Sequence, residues 1–366
     1  MRVRLGDVCD RGTSNLKQSD ITDTSGEYPV YGASGLIGTV SFYHQKLPYV
    51  AVVKDGAGIG RTTLHPAESS VIGTMQYLLP KANILPEYLY YVVKHMHLEK
   101  YYTGATIPHI YFKDYKSEEF NLEPLEKQHI IVDMLEKIES VIEARQKELK
   151  RLDDLIKSRF VEMFGDADSF EKAPLDYSVE EMFIGPFGSS LKNECFIAAD
   201  QGYCMVYEQK HAIRKSMDVD TRYVDKEKYK ELSRFTVQSG DIIVSCRGTI
   251  GETFIIPEGA PFGIMHPSIM KIRLKASAYN RVFFNQLLQT VLERHQADSN
   301  GSGVKMAITA TALGKECFIR PPMELQKQFA AFVEQTDKSK LLEWINLAKK
   351  SFDLLHERIC NGRHFI

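Results

Sequence analysis

The chain has 366 residues, enough for two or three domains, with 43% hydrophobic residues, 26% charged residues and a formal net charge of −2. That balance excludes a disordered or fibrous chain, and no apolar run approaches the roughly 18 residues a membrane-spanning helix needs. The small net charge neither supports nor excludes nucleic acid, because a basic stripe can sit inside a neutral total.

The N-terminus, Met1-Arg-Val-Arg-Leu-Gly-Asp7, has no apolar signal core and gives no sign of export. Tyr28-Pro-Val-Tyr31 reads as a short strand, and Val50-Ala-Val-Val53 as a second that runs into the glycine turn Asp55-Gly-Ala-Gly-Ile-Gly60. An amphipathic helix follows, carrying His95-Met-His97, then a glycine-containing loop, Thr103-Gly-Ala-Thr-Ile-Pro-His-Ile110. Phe120-Asn-Leu-Glu-Pro124-Leu-Glu126-Lys-Gln128 leads into a long helix, with Pro124 suited to its first turn and Gly165 to its stop. Within it Ile131, Leu135, Ile138, Ile142, Leu149, Leu152 and Ile156 alternate steps of four and three, interrupted at Arg145. That is a coiled-coil seam on a helix of roughly 40 residues, about 60 Å long.

The second half repeats this order. Cys204-Met-Val-Tyr207 answers Tyr28–Tyr31. Asp241-Ile-Ile-Val-Ser-Cys-Arg-Gly-Thr-Ile-Gly251 answers the stretch from Val50 to Gly60, and Gly301-Ser-Gly-Val-Lys-Met-Ala-Ile308 answers the glycine loop. Phe318-Ile-Arg-Pro-Pro322-Met-Glu324-Leu-Gln326 matches Phe120–Gln128 at a constant offset of 198. Phe329, Val333 and Thr336, then Leu341, Ile345, Ala348, Phe352, Leu355 and Ile359, form a second seam. The step from 336 to 341 breaks the alternation, as a two-residue insertion would. Conserved order along both halves marks an internal duplication.

A long helix with a narrow apolar stripe is not stable alone. The other copy supplies a partner, and an antiparallel pairing follows if each helix leaves the same end of its own domain; the alternative is pairing between separate chains. Ile130, Met134, Val141 and Leu155 flank the seam and widen the apolar stripe. They suit either another protein or the chain's own globular domains.

Taken together, the duplication, the segment Gly240-Asp-Ile-Ile-Val-Ser-Cys-Arg-Gly-Thr-Ile-Gly251 and the two Pro-x-Glu-x-Gln helix starts resemble the specificity subunits of Type I restriction-modification enzymes, over essentially the whole chain. The resemblance implies an α+β fold: two pseudo-repeated α/β target recognition domains separated by two long helices packed as an antiparallel coiled coil. The corresponding boundaries are 1–122 and 166–320 for the domains, and 123–165 and 321–366 for the helices. It implies a non-catalytic DNA-binding subunit, cytoplasmic and without membrane contact. Such a subunit reads a split site in double-stranded DNA and docks two methyltransferase subunits and, in the full complex, restriction subunits. S-adenosylmethionine, ATP and magnesium are then expected on those partners and no cofactor on this chain.

Phosphate and base-edge contacts call for basic, hydroxyl, amide and tyrosine side chains on loops held by a rigid scaffold. The first domain offers Tyr31, Ser34, Lys54, Arg61, Thr62, His109, Tyr111 and Lys113. The second offers Ser189, Ser190, Lys192, Gln209, Lys210, Arg247, Thr249 and Lys305, the last behind a Gly-Ser-Gly that would let backbone approach a phosphate. The two sets differ, so the two domains are expected to read different sequences.

Catalytic signals are weak. Asp55–Gly60 is similar to a cofactor-binding glycine turn, but Arg-Thr-Thr-Leu-His-Pro66 after it does not open a helix, so a strand-to-strand turn is the better account. Asp200, Glu208 and Lys210 have the residue types of a metal-dependent nuclease, but the first half has no counterpart. The histidines at 95 and 97 lack an acidic or cysteine partner, and no phosphate-binding lysine loop is present. The six cysteines form no C-x-x-C pair and are expected as free thiols, with no metal.

Overall fold

A computed structural model describes residues 1–21, 26–104, 108–247, 249–300, 309–336 and 339–361. The chain divides into two compact units, Met1–Leu149 with Ser339–Ile366, and Lys150–Lys338.

The two units are built to one plan. In the first, strands Cys9–Thr13, Met75–Pro80, Tyr49–Val53 and Thr62–His65 lie side by side in that order, each antiparallel to its neighbours. In the second, Val179–Ile184, Ile269–Leu274, Ile242–Ser245 and Thr253–Ile255 take the same order and sense. A smaller sheet accompanies each. Tyr28–Gly32 pairs antiparallel with Gly35–Val40 and parallel with Ser70–Val71. Cys204–Tyr207 pairs antiparallel with Tyr223–Val224 and parallel with Gly263–Met265. The correspondence of Tyr28–Tyr31 with Cys204–Tyr207 is therefore structural as well as sequential.

Alternation along the central strands explains their unbroken apolar sequence. Val50 and Val52 face a core shared with the helix Pro86–His95, whereas Tyr49, Ala51 and Val53 face a second cluster with Val71 and Tyr77. Likewise Ile242 and Val244 face the helix Arg281–Asn300, and Ile243 faces the cluster of Met205, Tyr207 and Met265. A strand covered on both faces has no solvent side and needs no polar residues. His95 ends the first of these helices; His97 lies beyond it, exposed, at φ +50°.

The ends of each globular region are tied by a two-stranded ribbon, Arg2–Arg4 with Glu119–Asn121 and Lys172–Pro174 with Cys317–Ile319. Phe120 and Phe318 sit buried at equivalent places in these ribbons. From the first ribbon the chain enters the helix Leu125–Phe164, whose first free amides turn back to the Pro124 carbonyl. At the far end a Cβ on Gly165 would lie 2.4 Å from the Val161 carbonyl oxygen, so only glycine fits the stop.

The heptad seam is the covered face of this helix. Ile131, Leu135 and Ile156 are buried, while Ile138, Ile142, Leu149 and Leu152 are half-buried amid exposed neighbours. Ile131 and Leu135 share the first unit's core with Phe352 and Leu355; Ile156, Phe160 and Phe164 share the second unit's core with Phe329.

The second long helix departs from the expected single element. It is two helices, Met323–Gln335 and Ser339–Asn361. The first ends at Thr336, whose hydroxyl turns back to the Phe332 carbonyl. The break coincides with the irregular step in the heptad. Ile359 and Cys360 have side chains outside the described set, as do Gly301–Ile308 as a whole. Cys9, Cys195, Cys204, Cys246 and Cys317 are free thiols.

Candidate nucleic-acid interface

In each unit three loops converge where the small sheet's parallel pair ends and the large sheet's hairpin turns. In the first unit the glycine turn joins two antiparallel strands, Tyr49–Val53 and Thr62–His65, as the sequence suggests, and opens no helix. Its Gly60 has φ +82°, and a Cβ there would meet the Glu99 backbone nitrogen at 2.5 Å. Lys54 and Asp55 each donate a backbone N–H to the Thr74 carbonyl, binding the turn to the loop that follows the parallel strand. The second unit repeats the device, with Cys246 N–H donating to the Ser268 carbonyl.

Most of the first set of expected residues meet here. Asp55 sits between Lys54, in a short ion pair, and His109, whose Nδ1 lies 2.7 Å from its carboxylate. Burial pushes the Asp55 carboxyl up, but these two partners outweigh it and hold it below the usual range. The His109 ring stacks on Tyr111, and Lys113 lies 5.3 Å above the same tyrosine. Arg61 donates to the Ala33 carbonyl at 2.8 Å, drawing in the turn that bears exposed Ser34. Tyr31 is half-buried against His65. Thr62 is buried and its hydroxyl donates to the Gly60 carbonyl at 3.1 Å, so its side chain shapes the turn.

The second unit gathers a denser charge cluster. Glu208, almost wholly covered, pairs with Arg222 and with Lys210 at 2.8 Å. Burial raises its carboxyl, but Arg222 and Lys210 more than reverse this and keep it ionised below the usual range. These ion pairs occupy the carboxylate that a metal-dependent nuclease reading would require. Arg222 lies 3.8 Å over the Phe196 ring, and Asn193 accepts from its guanidinium at 3.5 Å. His266 is held below its ordinary range by burial, with the cations of Arg222, Arg247 and Lys210 acting against Glu208. Its Nδ1 lies 2.8 Å from the Ser268 hydroxyl.

Arg247 and Thr249 are exposed on the hairpin turn; the Thr249 carbonyl accepts from the Ser245 hydroxyl at 2.6 Å. Gln209 follows Glu208, half-buried. Ser189, Ser190 and Lys192 lie on the loop after strand Val179–Ile184, where the Ser190 carbonyl accepts from Lys228. Lys305 lies outside the described residues.

Arg222 and His266, which the sequence does not single out, also lie in this cluster. Arg222 is one cation in the acidic stretch Asp218-Val-Asp-Thr-Arg222, and His266 precedes a proline. Only the fold brings them to Lys210 and Arg247. The result is a rigid, cation-rich edge in the second unit, and in the first an edge of mixed histidine, tyrosine and lysine. Fixed guanidinium and amide groups of this kind suit phosphate oxygens and base edges.

The sequence profile of the Type I restriction modification DNA specificity domain matches residues 1–153 and again 201–347. Among solved structures the chain is similar to the S subunit of the Type I restriction-modification system from M. genitalium, at 13% identity, with 100% of this chain and 96% of that chain covered and a TM-score of 0.59. It also matches the HsdS subunit from Thermoanaerobacter tengcongensis, at 15% identity over 99% of this chain and 96% of that one. A third match, at 14% identity over 98% and 97%, comes from a study of complex assembly and conformational transition of the type I R-M system. The TM-scores of these two are 0.39 and 0.41. At these identities the likeness is one of fold.

Proposed function

The chain belongs to the Type I restriction modification DNA specificity family, and on that basis we propose that it reads a bipartite site in double-stranded DNA for partner subunits that perform the chemistry. Each repeat reads one half-site. The observation that carries this reading is the pair of equivalent loop clusters, built on identical strand orders but lined by different charges: Lys54, Asp55 and His109 in one, Glu208, Lys210, Arg222 and Arg247 in the other. A shared scaffold with unlike edges fits two different base sequences.

Methyltransferase subunits dock on the helical segments. Ile130, Met134, Val141 and Leu155 are exposed, which favours an external partner over the chain's own domains, and Trp344, Leu347 and Leu354 add to the apolar surface. Restriction subunits join in the full complex. S-adenosylmethionine, ATP and magnesium belong to these partners. The subunit works in the cytoplasm; among the described residues no helix is long and apolar enough to cross a membrane.

Methylome sequencing of a host producing this chain with its methyltransferase tests the reading. A split motif, lost when this chain is deleted, is expected. Methylation by the purified chain alone, or a motif unaffected by its deletion, overturns it.

A further inference from the structure

The loop after strand Val179–Ile184 carries a feature that the charge cluster does not explain. Phe187 is 86% exposed, more than any other large hydrophobic side chain among the described residues. It is not on a loose segment. Pro186 before it and Leu191 after it are buried, and the Phe187 carbonyl accepts from Ser190 N–H at 2.9 Å. Gly185 donates to the Ile269 carbonyl, and a Cβ on Gly185 would lie 2.3 Å from the His266 carbonyl oxygen. The phenyl ring therefore projects from a turn clamped to the edge that carries His266. The same loop reaches Arg222 through Asn193 and Lys228 through the Ser190 carbonyl, and it bears Lys192.

An exposed phenyl ring on a tied-down loop that also bears Lys192 and touches Arg222 and Lys228, each in turn paired with a carboxylate, has the chemistry of a stacking wedge beside phosphate-binding groups. Resting on the DNA-reading proposal above, we propose that Phe187 inserts between two adjacent base pairs of the half-site read by the second repeat. The cations hold the flanking phosphates while the ring replaces the lost base-on-base contact. The loop at the same place in the first unit, Ser14-Asn-Leu-Lys-Gln-Ser-Asp20, also has a short 3-10 turn but no aromatic residue. Distortion is thus confined to one half-site.

The test uses the complete chain bound to its methyltransferase and a duplex of the methylome-identified sequence. A fluorescent base analogue is placed in turn at each step of both half-sites. With the native chain, fluorescence rises at one step of the second half-site only. With Phe187→Ala the rise disappears and binding weakens about 5- to 150-fold, the worth of one stacked base. A mismatch at that step, which unstacks the DNA in advance, returns part of the lost affinity, and Phe187→Trp keeps the signal.

Unchanged fluorescence and affinity in Phe187→Ala overturn the wedge while leaving DNA reading intact. Weaker methyltransferase association with unaltered DNA contacts also overturns it, by making Phe187 a protein contact. Failure of the native complex to bind the duplex at all would instead defeat the reading beneath it.

Discussion

Gln128 and Gln326, 198 residues apart, do the same work in the two units. Each is buried, each accepts through Oε1 from a backbone N–H at the start of a domain helix at 2.9 Å (Leu85 in one, Asn280 in the other), and each donates to the carbonyl five residues before it. Gln128 donates also to the Asn83 carbonyl at 3.0 Å. A single side chain thus ties the start of the domain helix to the start of the helix that follows the ribbon.

Replacing Gln128 with leucine keeps the volume but strands the Leu85 N–H and two carbonyls. A loss of about 2 to 4 kcal/mol is expected in the first unit. Hydrogen exchange should show it as earlier opening of Pro86–His95, with Arg281–Asn300 unaffected. Gln326→Leu should give the mirror result. Equal loosening of both helices by either variant would count against this local role.

Glu208→Gln leaves Arg222 and Lys210 facing each other without their counter-charge. Glu208 is covered but its partners are about a third exposed. A cost of about 2 to 3 kcal/mol follows, below that of a fully buried pair. Because the cluster belongs to one unit, the methylome should show relaxed readout in one half-site and an unchanged other half. Relaxation of both halves would contradict the assignment of one half-site per unit.

Acid should loosen the first unit. Burial pushes His356 down to about 4, with His95, Lys94 and His97 adding to it, and burial alone does the same to His65. An unfolded imidazole titrates near about 6.5. Above that pH neither state binds the proton, so nothing is lost. Between about 6.5 and 4 the unfolded chain binds it and the folded chain does not, so stability falls as pH falls. Each histidine contributes about 1.4 kcal/mol per pH unit. His356→Leu should remove one such share of the slope in chemical unfolding at stepped pH; an unchanged slope would refute the assignment.

Lengthening the long helix should alter spacing alone. Glu139 is unsuitable for an insertion, because it accepts from Tyr91 at 2.8 Å and Lys94 at 2.9 Å. Residues 143–148 are exposed on every side. Four residues added there extend the helix by about 6 Å. The methylated motif should keep both half-sites and change the gap between them. Altered half-sites with a constant gap would argue against helix length setting that gap.

Periodicity made the helical seam legible, down to the half-buried Ile138, Ile142, Leu149 and Leu152, because a heptad is a local signal. The duplication exposed the correspondence of Tyr28–Tyr31 with Cys204–Tyr207 but not the four-strand order of either large sheet, and the glycine turn at Asp55–Gly60 was readable from the residues after it. The reading edge was legible only in part. Lys54, His109 and Lys210 announce themselves by type and loop position. Arg222 and His266 come to the candidate cluster from segments far apart in sequence, and Thr62 is covered by burial that no local pattern reveals. The break after Gln335 was foreshadowed by the irregular heptad step, but its conversion into two helices was not.

The last helix completes the first unit, since Phe352 and Leu355 fill a core begun by Val50, Tyr88 and Leu135. During synthesis the second unit, being continuous in sequence, is made whole while the first still waits for its final piece. The half translated earliest is thus the half that can close last. Until then Tyr91 lacks the Phe352 and His356 rings that pack against it, so a ribosome that stalls late would leave a finished second unit attached to an unsealed first one.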